Sequence, residues 1–361
     1  MPNLINQTGN NMTWKGVINA YRAYLPFSAE TPIITLNEGN TPLIRADRLA
    51  EAIAPKAGLK LYLKYEGLNP TGSFKDRGMT AAITQAVAEG AKTVICASTG
   101  NTAASAAAYS ARAGLRCLVL VPEGKIALGK LAASLAYGAE VISIDGSFDD
   151  GLDMVREIVQ RQPIALVNSI NPWRLEGQKT GSFEICDQLN GRAPDWHCLP
   201  VGNAGNITAY WMGYQQYGKG LPRILGGQAA GSAPIVTGKV VEHPETIATA
   251  IRIGNPARWQ QALAALDESD GMITAVTDDD ILASWHKLAK LEGIFVEPAS
   301  ATGVAALQQQ IALGEIDPVG KTAVCILTGH GLKDPGTAVS QAQTPITLPA
   351  NVNALEDYLA Q

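Results

Sequence analysis

Charge is scarce in this sequence: Asp, Glu, Lys and Arg make up 17% of it, the net charge is −5, and no Lys/Arg stripe interrupts the chain. That balance argues against a nucleic-acid or anionic-membrane surface and for a small-molecule partner. Aromatic residues are few, at 6%. No apolar run approaches the ~18 residues of a membrane span. The opening MPNLINQTGNNMTWKG carries neither a basic n-region nor an apolar h-region, so a soluble, cytoplasmic protein is expected. The five cysteines (Cys96, Cys117, Cys186, Cys198, Cys325) are odd in number and show no C-x-x-C spacing, which leaves reduced, mostly buried thiols. The four histidines (His197, His243, His286, His330) lie too far apart for ligand spacing, so no metal is expected. A G-x-S-x-G elbow is missing too.

What is present is small and alternating. The length of 361 residues suggests about two domains, and 46% hydrophobic residues with 36 Gly and 20 Pro suit small-residue helices joined to strands by tight turns. KLYLKYE, TVICAS, RCLVLVP, AEVISID and IALVN read as strands. Helical patterns lie between them near residues 73–89, 100–113, 125–137 and 148–161, with breaks at Gly90, Gly114 and Gly138. DWHCLPVG, a helix from Asn206 to Tyr217, RILGGQAA, a helix near 298–313 and KTAVCILTG repeat the alternation. An α/β fold with parallel sheets follows. GGQAAGSAPIVTG reads as a flexible active-site loop, and the tail from Asp334 as a surface wrap.

Three strand-to-helix junctions carry chemistry. In EGLNPTGSFKDRG, Ser73 and Asp76 have the spacing of a helix cap, and Lys75 falls in the first turn. There the positive end of the helix dipole favours its neutral, nucleophilic amine, though a solvated surface lysine has the same signature. ASTGNTAASAAAYSARAG places Ser98, Thr99, Gly100, Asn101 and Thr102 at a helix start, an outline anion cradle or an ordinary cap. LPVGNAGNITAYWMG sets Gly202, Asn203, Ala204, Gly205 and Asn206 before another helix, where backbone amides can turn toward a phosphate. It is neither the dinucleotide fingerprint nor a Walker loop. Asp278, Asp279 and Asp280 after Thr277 read as a cap, not a metal site.

Taken together and in this order, the three segments resemble the pyridoxal-phosphate enzymes of fold type II, the tryptophan-synthase-β type. VNSINPWRLEGQKTGSFEI, GKIALGKLAASLAYGA and TIATAIRIGNPARW resemble the threonine-synthase branch, with the likeness running from about residue 35 to 335. The resemblance implies two open parallel α/β domains with pyridoxal 5′-phosphate in the cleft between them. The larger would comprise residues 1–75 together with 166–361, and the smaller, mobile one residues 76–165. Lys75 would bind the cofactor covalently and act as base and acid. Asn101 would meet the cofactor's phenolic oxygen, residues 202–206 its phosphate and Thr328, in CILTGHG, its pyridine nitrogen. The implied substrate, O-phosphohomoserine, needs a second phosphate site, for which Ser98, Thr99, Thr102, Asn168, Ser169, Arg174 and Asn203 match by position. The implied reaction is γ-elimination followed by β-hydration, yielding threonine, in a homodimer. A serine/threonine dehydratase of the same fold is the alternative enzyme, and a silent phosphate-binding module the alternative outside enzymes. The roles of Glu297 and His330 stay open; His330 lines the site, caps or packs.

Overall fold

The computed structural model describes residues 13–123, 128–146, 148–341 and 345–360. Ten strands run β1 (Leu43–Arg45), β2 (Lys60–Tyr65), β3 (Thr93–Ala97), β4 (Arg116–Pro122), β5 (Glu140–Ile144), β6 (Ile164–Leu166), β7 (Trp196–Pro200), β8 (Arg223–Ala229), β9 (Met272–Val276) and β10 (Thr322–Leu327). They form two sheets, ordered β1-β2-β10-β7-β8-β9 and β5-β4-β3-β6. Every pairing is parallel except that of β1, the short edge strand, with β2. The fold is α/β, as expected.

Strand order positions the site. The last strand, β10, lies between β2 and β7, with Leu327 opposite Tyr65 and Cys325 opposite Cys198. Thr328 therefore emerges between the segments that follow β2 and β7, namely the Lys75 and Gly202–Asn206 segments. In the smaller sheet β3 neighbours β6, with Ile95 opposite Leu166, so Ser98–Thr102 and Val167–Ser169 leave side by side. Carboxyl ends of parallel strands are where open α/β sheets bind ligands.

Helices cover the sheets by being small-faced. Helix Asn101–Ala113 buries Ala103, Ala104, Ala106, Ala107 and Ala108, and helix Pro298–Ala312 buries Ala299, Ala301, Ala305 and Ala306 against the large sheet. The expected breaks at Gly90, Gly114 and Gly138 all have positive φ, at 79°, 67° and 83°, a conformation that side chains disfavour. Thr277 and Asp280 form the expected reciprocal cap. All five cysteines are free and buried.

Several expectations need correction. Helix Lys75–Ala88 starts two residues later than anticipated, and Ser73 and Asp76 do not form a capping box. Asp76 instead accepts from Thr71 N (2.7 Å), Thr71 Oγ1 (2.6 Å) and Ser105 Oγ (2.6 Å), partners that outcompete the cap. GGQAAGSAPIVTG is not a flexible loop: Gly226–Ala229 belong to β8. A Cβ on Gly227 would lie 2.9 Å from Thr302 O, so that glycine serves close packing. Of the expected helix 125–137, residues 125–127 lie outside the described residues, and the helix spans Leu128–Ala136. Strands β1 and β9 and helices Pro172–Gln178 and Thr180–Gln188 had no counterpart in the sequence reading. The tail carries helices Pro335–Ser340 and Val352–Leu359, which bury no residue.

A buried ion network ties β2 and the residue after it to helices Lys75–Ala88 and Thr180–Gln188. Arg77 donates from Nε to Glu66 (2.6 Å) and from Nη2 to Glu184 (2.7 Å), and Lys64 Nζ lies 2.8 Å from Glu184. Burial pushes the Glu184 carboxyl up, but Arg77 and Lys64 outweigh it and hold it at about 2. Arg77→Met leaves two buried carboxylates facing one ammonium. It is expected to cost about 3–5 kcal/mol of folding stability, read from urea denaturation. A loss below about 1 kcal/mol would show the network to be replaceable.

Candidate active site

Lys75 is the first residue of helix Lys75–Ala88, and its ammonium nitrogen lies 4.2 Å from the centroid of the Phe74 ring. Part of its surface stays open, yet enough protein surrounds it that burial, and then the nearby Arg174 cation, push its pKa down to about 7, against the pull of Glu297. A neutral amine is the reactive form, and it predominates above that pH. The rate at which the apoprotein takes up pyridoxal phosphate should therefore rise about tenfold per pH unit below 7 and level off above it. Stopped-flow absorbance checks this; a rate still climbing at about pH 9 would place the lysine in an ordinary, solvated setting.

Between β7 and helix Gly205–Tyr217, Ala204 adopts the left-handed conformation, φ 61°. A non-glycine residue there stores on the order of 1 kcal/mol, and turns of this kind can present successive backbone N–H groups to an anion. Asn206 Nδ2 is buried with no partner among the described residues. A Cβ on Gly202 would lie 3.1 Å from Ile251 Cα, so the loop has its glycine where space is least. An orphaned donor, free amides and a 13-residue helix N-terminus fit a phosphate group.

Thr328 is buried, and its Oγ1 lies 2.9 Å from Ser300 Oγ. Asn101 Nδ2 donates to both oxygens of the buried Glu297, at 3.1 and 3.0 Å. Burial raises the Glu297 carboxyl, while Asn101, Lys333 and Lys75 pull it back. A Cβ on Gly329 would meet Glu297 Oε1 and displace that carboxylate from Asn101. His330 caps: its Nδ1 accepts from Leu332 N at 3.1 Å. Its ring also stacks on Tyr65.

A second polar group gathers at the ends of β3 and β6. Ser98 Oγ accepts from Gly100 N, while the hydroxyls of Thr99 and Thr102 have no partner among the described residues. Asn168 pairs with the backbone of Ala97 at both ends of its amide, 3.0 Å to N and 2.9 Å to O, which locks the two segments together. Arg174 is 1% exposed. Its Nη1 reaches Val167 O at 3.3 Å, and its Nε has no partner among the described residues. Burial lowers its pKa to about 10, with Cys96 and Asp76 opposing and Arg258 adding to the shift. The fold's other buried arginine, Arg77, has two carboxylates; Arg174 has none bonded to it among the described residues. Sequence reasoning passed over Arg258, whose Nε and Nη2 donate to Ser169 O (3.3 Å) and Ile170 O (3.0 Å). The only sequence signal for it is its place inside TIATAIRIGNPARW.

A lysine with a depressed pKa, a buried hydroxyl and two groups of polar side chains and glycine turns thus gather at strand carboxyl ends, where open α/β sheets bind ligands. Residues 34–329 match the family of pyridoxal-phosphate dependent enzymes. A threonine synthase of Halalkalibacterium halodurans is 57% identical over 96% of this chain and 98% of its own length. One from Synechocystis is 60% identical over 91% and 86%. A solved serine racemase from Dictyostelium discoideum superposes with a TM-score of 0.67 at 25% identity, covering 81% of this chain and 92% of its own. The chain belongs to the pyridoxal-phosphate-dependent enzymes and, within them, to the threonine synthases. It is a lyase that uses pyridoxal phosphate, and the threonine-synthase relatives set the dehydratase alternative aside. Among the described residues no helix is long and apolar enough to cross a membrane.

Proposed function

We propose that the chain converts O-phospho-L-homoserine and water to L-threonine and phosphate, closing threonine biosynthesis. The observation that carries this reading is Arg174: a buried cation that, among the described residues, has an orphaned N–H and no bonded carboxylate. A cofactor with one phosphate needs one seat, Gly202–Asn206, and the second seat suits a phosphorylated substrate.

Bound pyridoxal phosphate supplies the electron sink that makes protons next to the substrate's amino group removable. Gly202, Asn203, Ala204, Gly205 and Asn206 would hold its phosphate, Asn101, oriented by Glu297, its phenolic oxygen, and Thr328 its ring nitrogen. Thr328 is a neutral partner, so no fixed negative charge stabilises a protonated ring there. Lys75 Nζ, whose pKa is pushed down to about 7, takes the proton from Cα and moves protons at Cβ, one side chain serving several transfers. Ser98, Thr99, Thr102, Ser169 and Arg174 would bind the leaving phosphoryl group at Cγ, with Asn168 fixing the segment rather than touching it. Asn203, whose Oδ1 accepts from Ala257 N at 3.4 Å, would stand between the two seats. Closure of residues 76–165 over the larger part would keep water out until the β-hydration step. The proposal includes a cytoplasmic homodimer, whose oligomeric state light scattering reads directly.

Incubating the holoenzyme with O-phosphohomoserine should release phosphate and threonine in equal amounts. Phosphate without threonine, or faster ammonia release from serine or threonine, would overturn the reading.

A further inference from the structure

Arg258 precedes helix Trp259–Glu268 and makes no side-chain cap bond to it. Its guanidinium instead grips the carbonyls of Ser169 and Ile170, and Arg174 grips that of Val167. Two cations from different elements thus hold one short stretch, Val167 to Ile170. The residue before Arg258, Ala257, donates its backbone N–H to Asn203 in the Gly202–Asn206 segment, so the same loop touches both anion seats. Arg258 Nη1 has no hydrogen-bond partner among the described residues.

Charge balance distinguishes this pair from Arg77 and Lys64, the cations of the buried ion network. Arg77 and Lys64 are neutralised by Glu66 and Glu184. Arg174 and Arg258 are bonded to carbonyl oxygens, which orient a guanidinium without cancelling its charge, and their mutual repulsion adds to the depression of Arg174 that burial starts. Burial lowers Arg258 as well. Two guanidiniums near enough to repel each other, with no carboxylate bonded to either among the described residues, favour an anion beside them. A phosphomonoester near neutral pH carries close to two negative charges, which matches two arginines and exceeds one.

We propose that Arg258 is the second guanidinium of the substrate-phosphate seat, facing Arg174, and so a determinant of the requirement for a phosphorylated leaving group. The inference rests on the reading of this seat as a site for a phosphorylated substrate. Arg258 then acts on binding more than on proton transfer, because it lies with the leaving group and not with Lys75.

The test uses the holoenzyme, with Arg258→Ala and Arg174→Ala in parallel and inorganic phosphate as the probe. In the unmodified protein phosphate should raise the thermal midpoint by binding the folded state. Arg258→Ala should lose most of that rise and show a KM for O-phosphohomoserine at least about tenfold higher, with kcat changed less than about threefold. A normal phosphate response and KM in Arg258→Ala, while Arg174→Ala loses both, would make Arg258 a clamp on two carbonyls and overturn the proposal. Normal behaviour in both variants would remove the phosphate seat itself, and the proposed substrate with it. If Arg258→Ala does not fold, Arg258→Lys and Arg258→Gln divide the same way: lysine keeps part of the phosphate response and glutamine loses it. Equal responses from those two would overturn the role of charge.

Discussion

Lys75→Ala is expected to remove at least about three decades of turnover, the range that positioned acid–base groups and covalent attachment supply together, while leaving the protein folded. Lys75 is the first residue of a 14-residue helix, where alanine is well tolerated. The amine makes no salt bridge among the described residues, and a lysine depressed to about 7 by burial contributes little that alanine would lose. The effect should therefore be chemical. Borohydride reduction of the holoenzyme followed by peptide mapping should place the cofactor's mass on Lys75, and Lys75→Ala should carry none. The natural competitor is Lys333, whose amine burial also lowers and which donates to Thr71 O in the same loop at 3.1 Å. Mass on Lys333, or normal turnover without Lys75, would overturn the assignment.

How much of this was legible depended on sequence distance. The three strand-to-helix junctions were readable because Gly, Asn, Ser and Thr mark both the turn and the free amides that bind anions. Lys75 stood out only through the family resemblance, since its place in the first turn is one that a solvated surface lysine shares. The Ser73–Asp76 cap failed although its spacing was right. Thr71, five residues before Asp76, and Ser105, 29 residues beyond it, make better partners, and Ser105 cannot be seen from local pattern. β1 spans three residues and is too short to show a period, and β9 is partly exposed along most of its length, so its burial gives no clean alternation. Arg258 was invisible because its partners are backbone carbonyls 89 and 88 residues away. The Arg77 network joins positions up to 120 residues apart. Glu297 stood out in EPASA as a residue without a role; its hold on Asn101, 196 residues away, needed the fold. Local chemistry was written locally, and the groups that orient it were not.

Arg174→Ala is expected to spare cofactor binding and lower O-phosphohomoserine turnover by about two decades or more. A charge-assisted hydrogen bond to phosphate contributes about 1.5–3 kcal/mol, and about 1.4 kcal/mol is one decade, so losing the fork of Arg174 costs on the order of two bonds. Fold stability should change in a different way. Without an anion, Arg174 is a buried cation with one orphaned N–H, and removing it relieves that penalty while opening a cavity in the interior. The two terms oppose each other, so the urea midpoint should move far less than the rate. Arg174→Lys restores charge without the planar fork and should fall between the two. Serine and threonine carry no phosphate, so any slow deamination of them should be indifferent to the substitution. Cofactor absorbance serves as the control for the Lys75 site, and a normal phosphohomoserine rate in Arg174→Ala would take Arg174 out of the site and leave the second seat without its principal cation.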